Sequence, residues 1–412
     1  MKSLESLRNE YNAFKALGLK LDMARGKPAA DQLDTVEGLL SVLKTNDQCI
    51  VNGVDYRNYG ILDGIPAAKK LFSQILCTPE DQIIVGGNSS LNMMHDTVSR
   101  AMIRGVTEGS KPWCKYDKIS FLCPVPGYDR HFSICEYFGI NMINVPLGED
   151  GPDMDMVERL VSEDETIKGM WCVPKYSNPT GITYSDETLK RFAALKPKAK
   201  DFRVFWDNAY VIHDLCDGGD FLGNILDIAK EYGNEDLFYV FTSTSKVSFP
   251  GAGMACMAAS KANIARIKAD LSFQTIGYDK LNQLRHTLFY PDLEAVMKQM
   301  KVHLEHIKPK FVLVLDAFEK ELSDIDGVSW TKPNGGYFIN LKVPNGTAKR
   351  VVSLAKDAGL VLTGAGASFP YGVDPEDANL RIAPTYPSFE ELEKAVAVLC
   401  CCVKLAAAEK QA

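Results

Sequence analysis

Seven short apolar runs, rich in β-branched and aromatic residues, recur between residues 82 and 258: at 82–85, 118–123, 140–145, 169–173, 203–206, 237–241 and 254–258. Helix-length amphipathic stretches alternate with them. Runs this short and this uniformly apolar read as strands buried on both faces, and crossovers of helical length return the chain to the same sheet edge, so the pattern predicts βαβ units and a mostly parallel α/β sheet. Residues 291–322 read as one long helical region, with Met297, Met300, Leu304, Ile307, Phe311 and Leu315 near helical spacing; Pro309 should bend or interrupt it. A smaller unit comes after it, with Trp330, the run Gly335-Gly336-Tyr337-Phe338-Ile339 and a last helix from about 388 to 408, placing a domain boundary near residue 300.

Composition narrows what such a chain does. With 412 residues there is enough chain for two domains with substantial cores. Forty-six Lys and Arg against 53 Asp and Glu give a net charge of -7 without long blocks of one sign, so no polyanion-binding face is indicated and nucleic acid is not an expected partner. The first eight residues lack the apolar core of a signal peptide, and no apolar run approaches the ~18 residues that span a bilayer, so the expectation is a cytoplasmic protein without membrane contact. Eleven cysteines form no Cys-x-x-Cys pair, and Cys123, Cys172 and Cys256 fall in apolar runs where a reduced thiol packs as a small hydrophobe; neither structural zinc nor a disulfide framework is expected. Cys400, Cys401 and Cys402 are consecutive, but neighbours on a helix point to different sides, so they read as part of a partly buried helix.

In an open parallel sheet the carboxyl ends of the strands border the ligand crevice. Four runs end there in polar turns: Gly86-Gly87-Asn88-Ser89-Ser90, Asn178-Pro179-Thr180-Gly181, Asp207-Asn208-Ala209-Tyr210 and Ser243-Thr244-Ser245-Lys246. A lysine after a buried strand can form a Schiff base with an aldehyde cofactor, a carboxylate can keep a pyridine nitrogen protonated, and a glycine-containing turn at a helix start can hold a phosphate. Together these turns hold the inventory needed for pyridoxal phosphate. Each alone has an ordinary reading, a solvated lysine, a helix cap or a plain turn; their order and spacing change the odds.

With Arg-Gly-Lys-Pro (25–28), Tyr-Gly-x3-Gly-Ile-Pro (59–66), Asn-Pro-Thr-Gly (178–181), Asp-Asn-Ala-Tyr (207–210), Ser-Thr-Ser-Lys (243–246), Gly-Gly-Tyr-Phe (335–338) and Leu-Arg-Ile-Ala-Pro-Thr (380–385), the chain resembles class I aminotransferases of pyridoxal phosphate fold type I along nearly its whole length. The resemblance implies a three-layer α/β fold with a large cofactor-binding domain over 51–300 and a smaller α/β domain built from 1–50 and 301–412. It implies that Lys246 carries the cofactor and shuttles the substrate Cα proton, that Asp207 partners the pyridine nitrogen, and that Asn178 and Tyr210 donate to the ring oxygen. Tyr128 matches the residue stacked on the ring. Gly87, Asn88, Ser89, Ser243 and Ser245 match phosphate ligands, and Tyr59 matches a tyrosine that reaches the neighbouring subunit's phosphate, implying a homodimer with composite sites. Arg381 and Gly26, with Asn178, match the holders of the substrate α-carboxylate.

One departure stands out. Class I members carry an arginine eight residues after the lysine to neutralise the phosphate, and this chain has Met254 there, after a shortened Gly251-Ala252-Gly253. That turn, with Thr275-Ile276-Gly277 and Asn282-Gln283-Leu284-Arg285-His286, is similar to a divergent aspartate aminotransferase subgroup called Ic. The implied activity is ping-pong transfer of an α-amino group between an amino acid, aspartate or glutamate, and a 2-oxo acid. The same fold and cofactor also serve lyases, decarboxylases and synthases, and in fused regulators a binding module. Arg25, Arg57, Arg130, Lys280 and Arg285 are equal candidates for a distal substrate carboxylate.

Overall fold

In the computed structural model, which describes residues 3–412, all seven runs join one sheet. Its strands are β1 (Ile83–Val85), β2 (Ser120–Val125), β3 (Asn141–Pro146), β4 (Ile167–Cys172), β5 (Arg203–Asp207), β6 (Phe238–Ser243) and β7 (Ala255–Ala259). Their spatial order is β1-β7-β6-β5-β4-β2-β3, and only β7 runs antiparallel to its neighbours. The mostly parallel sheet expected from the sequence is therefore present. The strand period of two sends alternate residues to opposite faces. Leu122, Met170, Val204 and Val240 join one core, while their neighbours Phe121, Trp171, Phe205 and Phe241 join another. Helices cover both faces, which is why β4 and β5 are buried at every position and show no polar alternation in sequence.

Five helices position the rest of the molecule: α1 (Leu4–Ala16), α2 (Ser90–Arg104), α3 (Asp129–Phe138), α4 (Leu293–Leu322) and α5 (Phe389–Gln411). A third core lies beneath an antiparallel sheet of β8 (Ser329–Trp330), β9 (Ile339–Lys342) and β10 (Asn379–Ile382), in the order β8-β9-β10. Leu7 and Tyr11 of α1 belong to this core, and Leu21–Asp22 pairs in parallel with Leu360–Val361. Residues near 38 pack elsewhere, with Gly38 against the Phe289 ring.

Helix α4 continues through Pro309 for 30 residues, so of the expected bend or interruption the interruption is absent. A helical proline removes one donor and costs about 3 kcal/mol. Ile307, Phe311 and Val314 on either side are all buried, and their packing outweighs that loss. Val296 and Met300 in the same helix bury against the large sheet, whereas Ile307 onward joins the third core. We propose that the two domains divide within this helix. Cys400, Cys401 and Cys402 are all buried in α5, more deeply than a partly buried helix would hold them, because the helix packs against α1, α4 and the helix Ala348–Asp357.

Since β1 and β2 through β6 run the same way, the turns after β1, β2, β4, β5 and β6 open on one edge of the sheet. Met254, at the position of the missing arginine, points away from that edge: it is 1% exposed and lies in the core shared with Val247 and Tyr290. An arginine there would be a buried charge without a partner. Met254→Arg should lower stability by about 3 kcal/mol or more, read as a drop in Tm, and should not tighten cofactor binding. A variant with unchanged Tm and higher cofactor affinity would show that position 254 can reach the phosphate.

Candidate active site

The carboxyl edge of the sheet and the third core enclose a cavity of about 550 Å³. Every site residue expected from the sequence lines it except Gly87, Asn88 and Tyr59. Lys246, in the turn after β6, places Nζ 4.9 Å from the Tyr210 ring centroid and 5.7 Å from that of Tyr337. The surrounding protein strips water from the amine and lowers its pKa, and the carboxylate of Asp207 opposes that shift. A lysine so placed yields a free amine more readily than an exposed one. Tyr210 and Tyr337 are buried phenols whose pKa values are raised by burial, so both remain protonated donors; Tyr337 is held by Gln32, whose Nε2 donates to its hydroxyl at 2.7 Å.

Asp207 closes β5 and is 3% exposed. His131 Nε2 donates to its Oδ2 at 2.9 Å, and Oδ1 has no partner. Burying a carboxylate costs several kcal/mol unless its oxygens are met, so an unpartnered oxygen at a cavity wall indicates a donor supplied by a ligand. His131 is itself fixed by stacking on Trp171, with centroids 4.5 Å apart and planes 10° from parallel, and by the edge of Tyr128 at 5.0 Å. His131 was not among the residues expected from the sequence. Its signal was available: Tyr128 is the N-cap of α3 and His131 lies one turn on, a spacing that lets the two rings meet.

Arg381, on β10, has its side chain 7% exposed. Nη1 donates to Asp129 Oδ1 at 2.6 Å and lies 3.5 Å from Asn178 Oδ1, Nη2 donates to Thr363 Oγ1 at 3.3 Å, and Nε has no partner. Thr363 is anchored in turn by donating to Ala24 O. The guanidinium lies over the Phe338 ring, 5.1 Å from its centroid. Gly26 abuts the same ring; a Cβ there would come within 2.5 Å of it, so a side chain at this position would have to displace the ring. Asp129 and Thr363 were also absent from the sequence expectations.

At the other end of the cavity α2 begins after Ser89, whose side chain makes no capping bond, so the first-turn N–H groups and this hydroxyl face the cavity beside Ser243 and Ser245. Ser243 Oγ donates to Ser245 Oγ at 2.9 Å. Asn88 instead pins the turn after Lys246, its amide donating to Gly251 O at 3.2 Å, and Gly87 O accepts from Ala255 N at 2.7 Å. Tyr59 is 83% exposed on a separate surface with Gly60, Gly277 and Lys280. Of the five basic candidates for a distal carboxylate, Arg25 and Arg130 line the cavity, and neither side chain is paired with an acidic group among the described residues. Arg57 is paired with Asp55 at 2.6 Å, Lys280 donates to Gly60 O, and Arg285 donates to Asn282.

An amine, a half-satisfied buried carboxylate, a ring-flanking tyrosine and an anion-accepting helix start fit pyridoxal phosphate. The model of the aspartate amino-transferase family matches residues 2–412. An aspartate aminotransferase of Corynebacterium glutamicum is 45% identical over 408 residues, covering 99% of this chain and 94% of that protein. A crystal structure of an aspartate transaminase from the same species superposes with a TM-score of 0.96 at 44% identity, covering 99% of this chain and 96% of that one. The α-aminoadipate aminotransferase LysN of Thermus thermophilus, solved with N-(5'-phosphopyridoxyl)-L-leucine, shares the fold at 19% identity with a TM-score of 0.76, over 93% and 92% of the two chains. The match runs from end to end, and the chain belongs to the aspartate amino-transferase family.

Proposed function

We propose that this aminotransferase uses pyridoxal phosphate held in this cavity, takes the α-amino group of aspartate or glutamate and passes it to a 2-oxo acid. The observation that carries this reading is that one cavity contains a water-poor lysine, a buried carboxylate with a free oxygen and a guanidinium. Bound there, the cofactor supplies an electrophilic aldehyde and an electron-withdrawing ring. Asp207, kept in place by His131, would hold the proton of the ring nitrogen. Asn178 and Tyr210 would donate to the ring oxygen, and Tyr128 would cover the ring. Ser89, Ser243, Ser245 and the start of α2 would hold the phosphate, while Gly87 and Asn88 shape the turn between β1 and α2. Arg381 and the Gly26 backbone fix the substrate α-carboxylate, which orients the substrate Cα toward Lys246. Lys246 then moves the Cα proton, and burial, by lowering its pKa, favours the neutral amine that can accept it.

Trapping with borohydride followed by peptide mapping should place the phosphopyridoxyl label on Lys246, and the holoenzyme should convert aspartate or glutamate with stoichiometric amination of the 2-oxo acid. Label on another lysine would reject the site. Release of carbon dioxide or ammonia in place of amino transfer would move the chain to the lyase or decarboxylase reading.

Arg25 and Arg130 are cations at the cavity wall without an acidic partner among the described residues, which supports them as the clamp for the distal carboxylate. Binding of succinate and butyrate, which differ by one carboxylate, tests this by calorimetry. Arg130→Gln and Arg25→Gln should each cut the preference for succinate by about tenfold, the scale of one charge-assisted bond. An undiminished preference in the double variant would place the distal contact elsewhere.

A homodimer with shared sites is supported by Tyr59, which projects into solvent beside Gly277, close in sequence to the exposed Ile276 and Phe273. Exposed aromatic and aliphatic side chains in one region are typical of subunit contacts. If Tyr59 serves the partner's phosphate, mixing Lys246→Ala with Tyr59→Phe subunits creates one site with both lesions and one with neither. At limiting cofactor, activity of the mixture should exceed the sum of the parents; simple additivity after subunit exchange would remove Tyr59 from the partner's site.

A further inference from the structure

Arg381 already holds an anion of the protein's own. The carboxylate of Asp129 lies 2.6 Å from Nη1, with the aspartate side chain 32% exposed and the arginine 7% exposed, so the anion sits on the solvent side and the cation on the cavity floor. A desolvated guanidinium without a counter-anion is costly, and Asp129 meets that cost before substrate arrives. The pairing is incomplete. A single oxygen is engaged, Nη2 is left to the hydroxyl of Thr363, and Nε has no partner, whereas a guanidinium fork can take both oxygens of one carboxylate.

We propose that Asp129 is an internal stand-in for the substrate α-carboxylate, covering Arg381 in the open site and yielding it to the incoming substrate. This rests on the reading in which Arg381 takes the α-carboxylate. The exchange is chemically even, one carboxylate for another. The aspartate side chain has two rotatable bonds and stands on the first turn of α3, so it can leave Arg381 without moving the helix. Substrates gain entry by offering a second oxygen to the fork. An amine that lacks a carboxylate has nothing to exchange and leaves the arginine covered, so the contact favours amino acids over simple amines.

The rival role is a permanent brace, in which Asp129 fixes the orientation of Arg381 and stays in place when substrate binds. The two roles predict opposite signs. In the holoenzyme, Asp129→Asn should bind succinate about three- to tenfold more tightly by calorimetry, because a partly exposed ion pair no longer has to be broken. KM for donor and acceptor should fall together, with kcat changing less than KM. Asp129→Ser should shift binding in the same direction, which guards against an asparagine-specific contact, and Tm together with the absorbance of the bound cofactor reports whether each variant is folded and loaded. Removing a negative charge could also raise anion affinity through the general field of the cavity. On an Arg381→Gln background the tightening should therefore vanish. Weaker or unchanged succinate binding in Asp129→Asn overturns the proposal, as does tightening that persists without Arg381. Succinate binding does not depend on turnover, so an enzyme that fails to transaminate would reject the functional reading and leave this test standing.

Discussion

The placement of Asp207 is the constraint on which the site depends. A carboxylate at 3% exposure, at the end of a fully buried strand, is tolerated only if its charge is met on both sides. His131 meets one oxygen, and its ring is immobilised by Trp171 of β4 and by Tyr128, which lies beyond the end of β2. The other oxygen is left without a partner from the protein. Burial lowers the pKa of Lys246, and the field of the same carboxylate opposes that shift, so one aspartate bears on both the histidine and the lysine amine. Moving Asp207 by one residue would flip it to the opposite face of the sheet, where Trp206 packs among the rings of Tyr184, Phe192 and Phe238.

Much of this was legible in sequence because the parallel sheet has a simple grammar. Buried strands read as apolar runs, and the turn after each run lies at the shared edge, so Lys246, Asp207, Asn178 and Ser89 could be brought together across more than a third of the chain without any contact information. The residues that escaped notice do not follow a strand. His131 and Asp129 are on the first turn of a helix, and Thr363 follows the short strand Leu360–Val361; each acts through another side chain, and only His131, one turn after Tyr128, had a local signal. Pro309 was overestimated for a related reason. Its local cost is visible in the sequence, whereas the burial of Ile307, Phe311 and Val314 around it is a property of the packed molecule.

The absent arginine is explained by backbone path. Met254 N donates to Thr244 Oγ1 at 2.9 Å, and Thr244 N donates to Met254 O, which ties the shortened turn closely to the segment carrying Lys246 and directs the Met254 side chain into the core. The end of the cavity at the start of α2 is then left with the hydroxyls of Ser89, Ser243 and Ser245 and the helix's first N–H groups. Individually such donors contribute about 1 kcal/mol, less than a charge-assisted bond, so no single one dominates.

The first turn of α3 concentrates the remaining demands. Tyr128 faces the cavity, Asp129 holds Arg381, Arg130 lines the cavity wall and His131 fixes Asp207, four consecutive residues directed at four different points. Successive side chains diverge this way because Tyr128 is still extended while Asp129, Arg130 and His131 already follow the helical repeat, which turns each one by about 100° from the last. This turn also ties the large sheet's surroundings to the small sheet, because Asp129 stands on α3 and Arg381 on β10 and their ion pair joins the two at the cavity. Exchange of that pair for a substrate carboxylate would replace a contact within the protein by one through the ligand, so that binding at the α-carboxylate and the relative placement of the two walls become a single event.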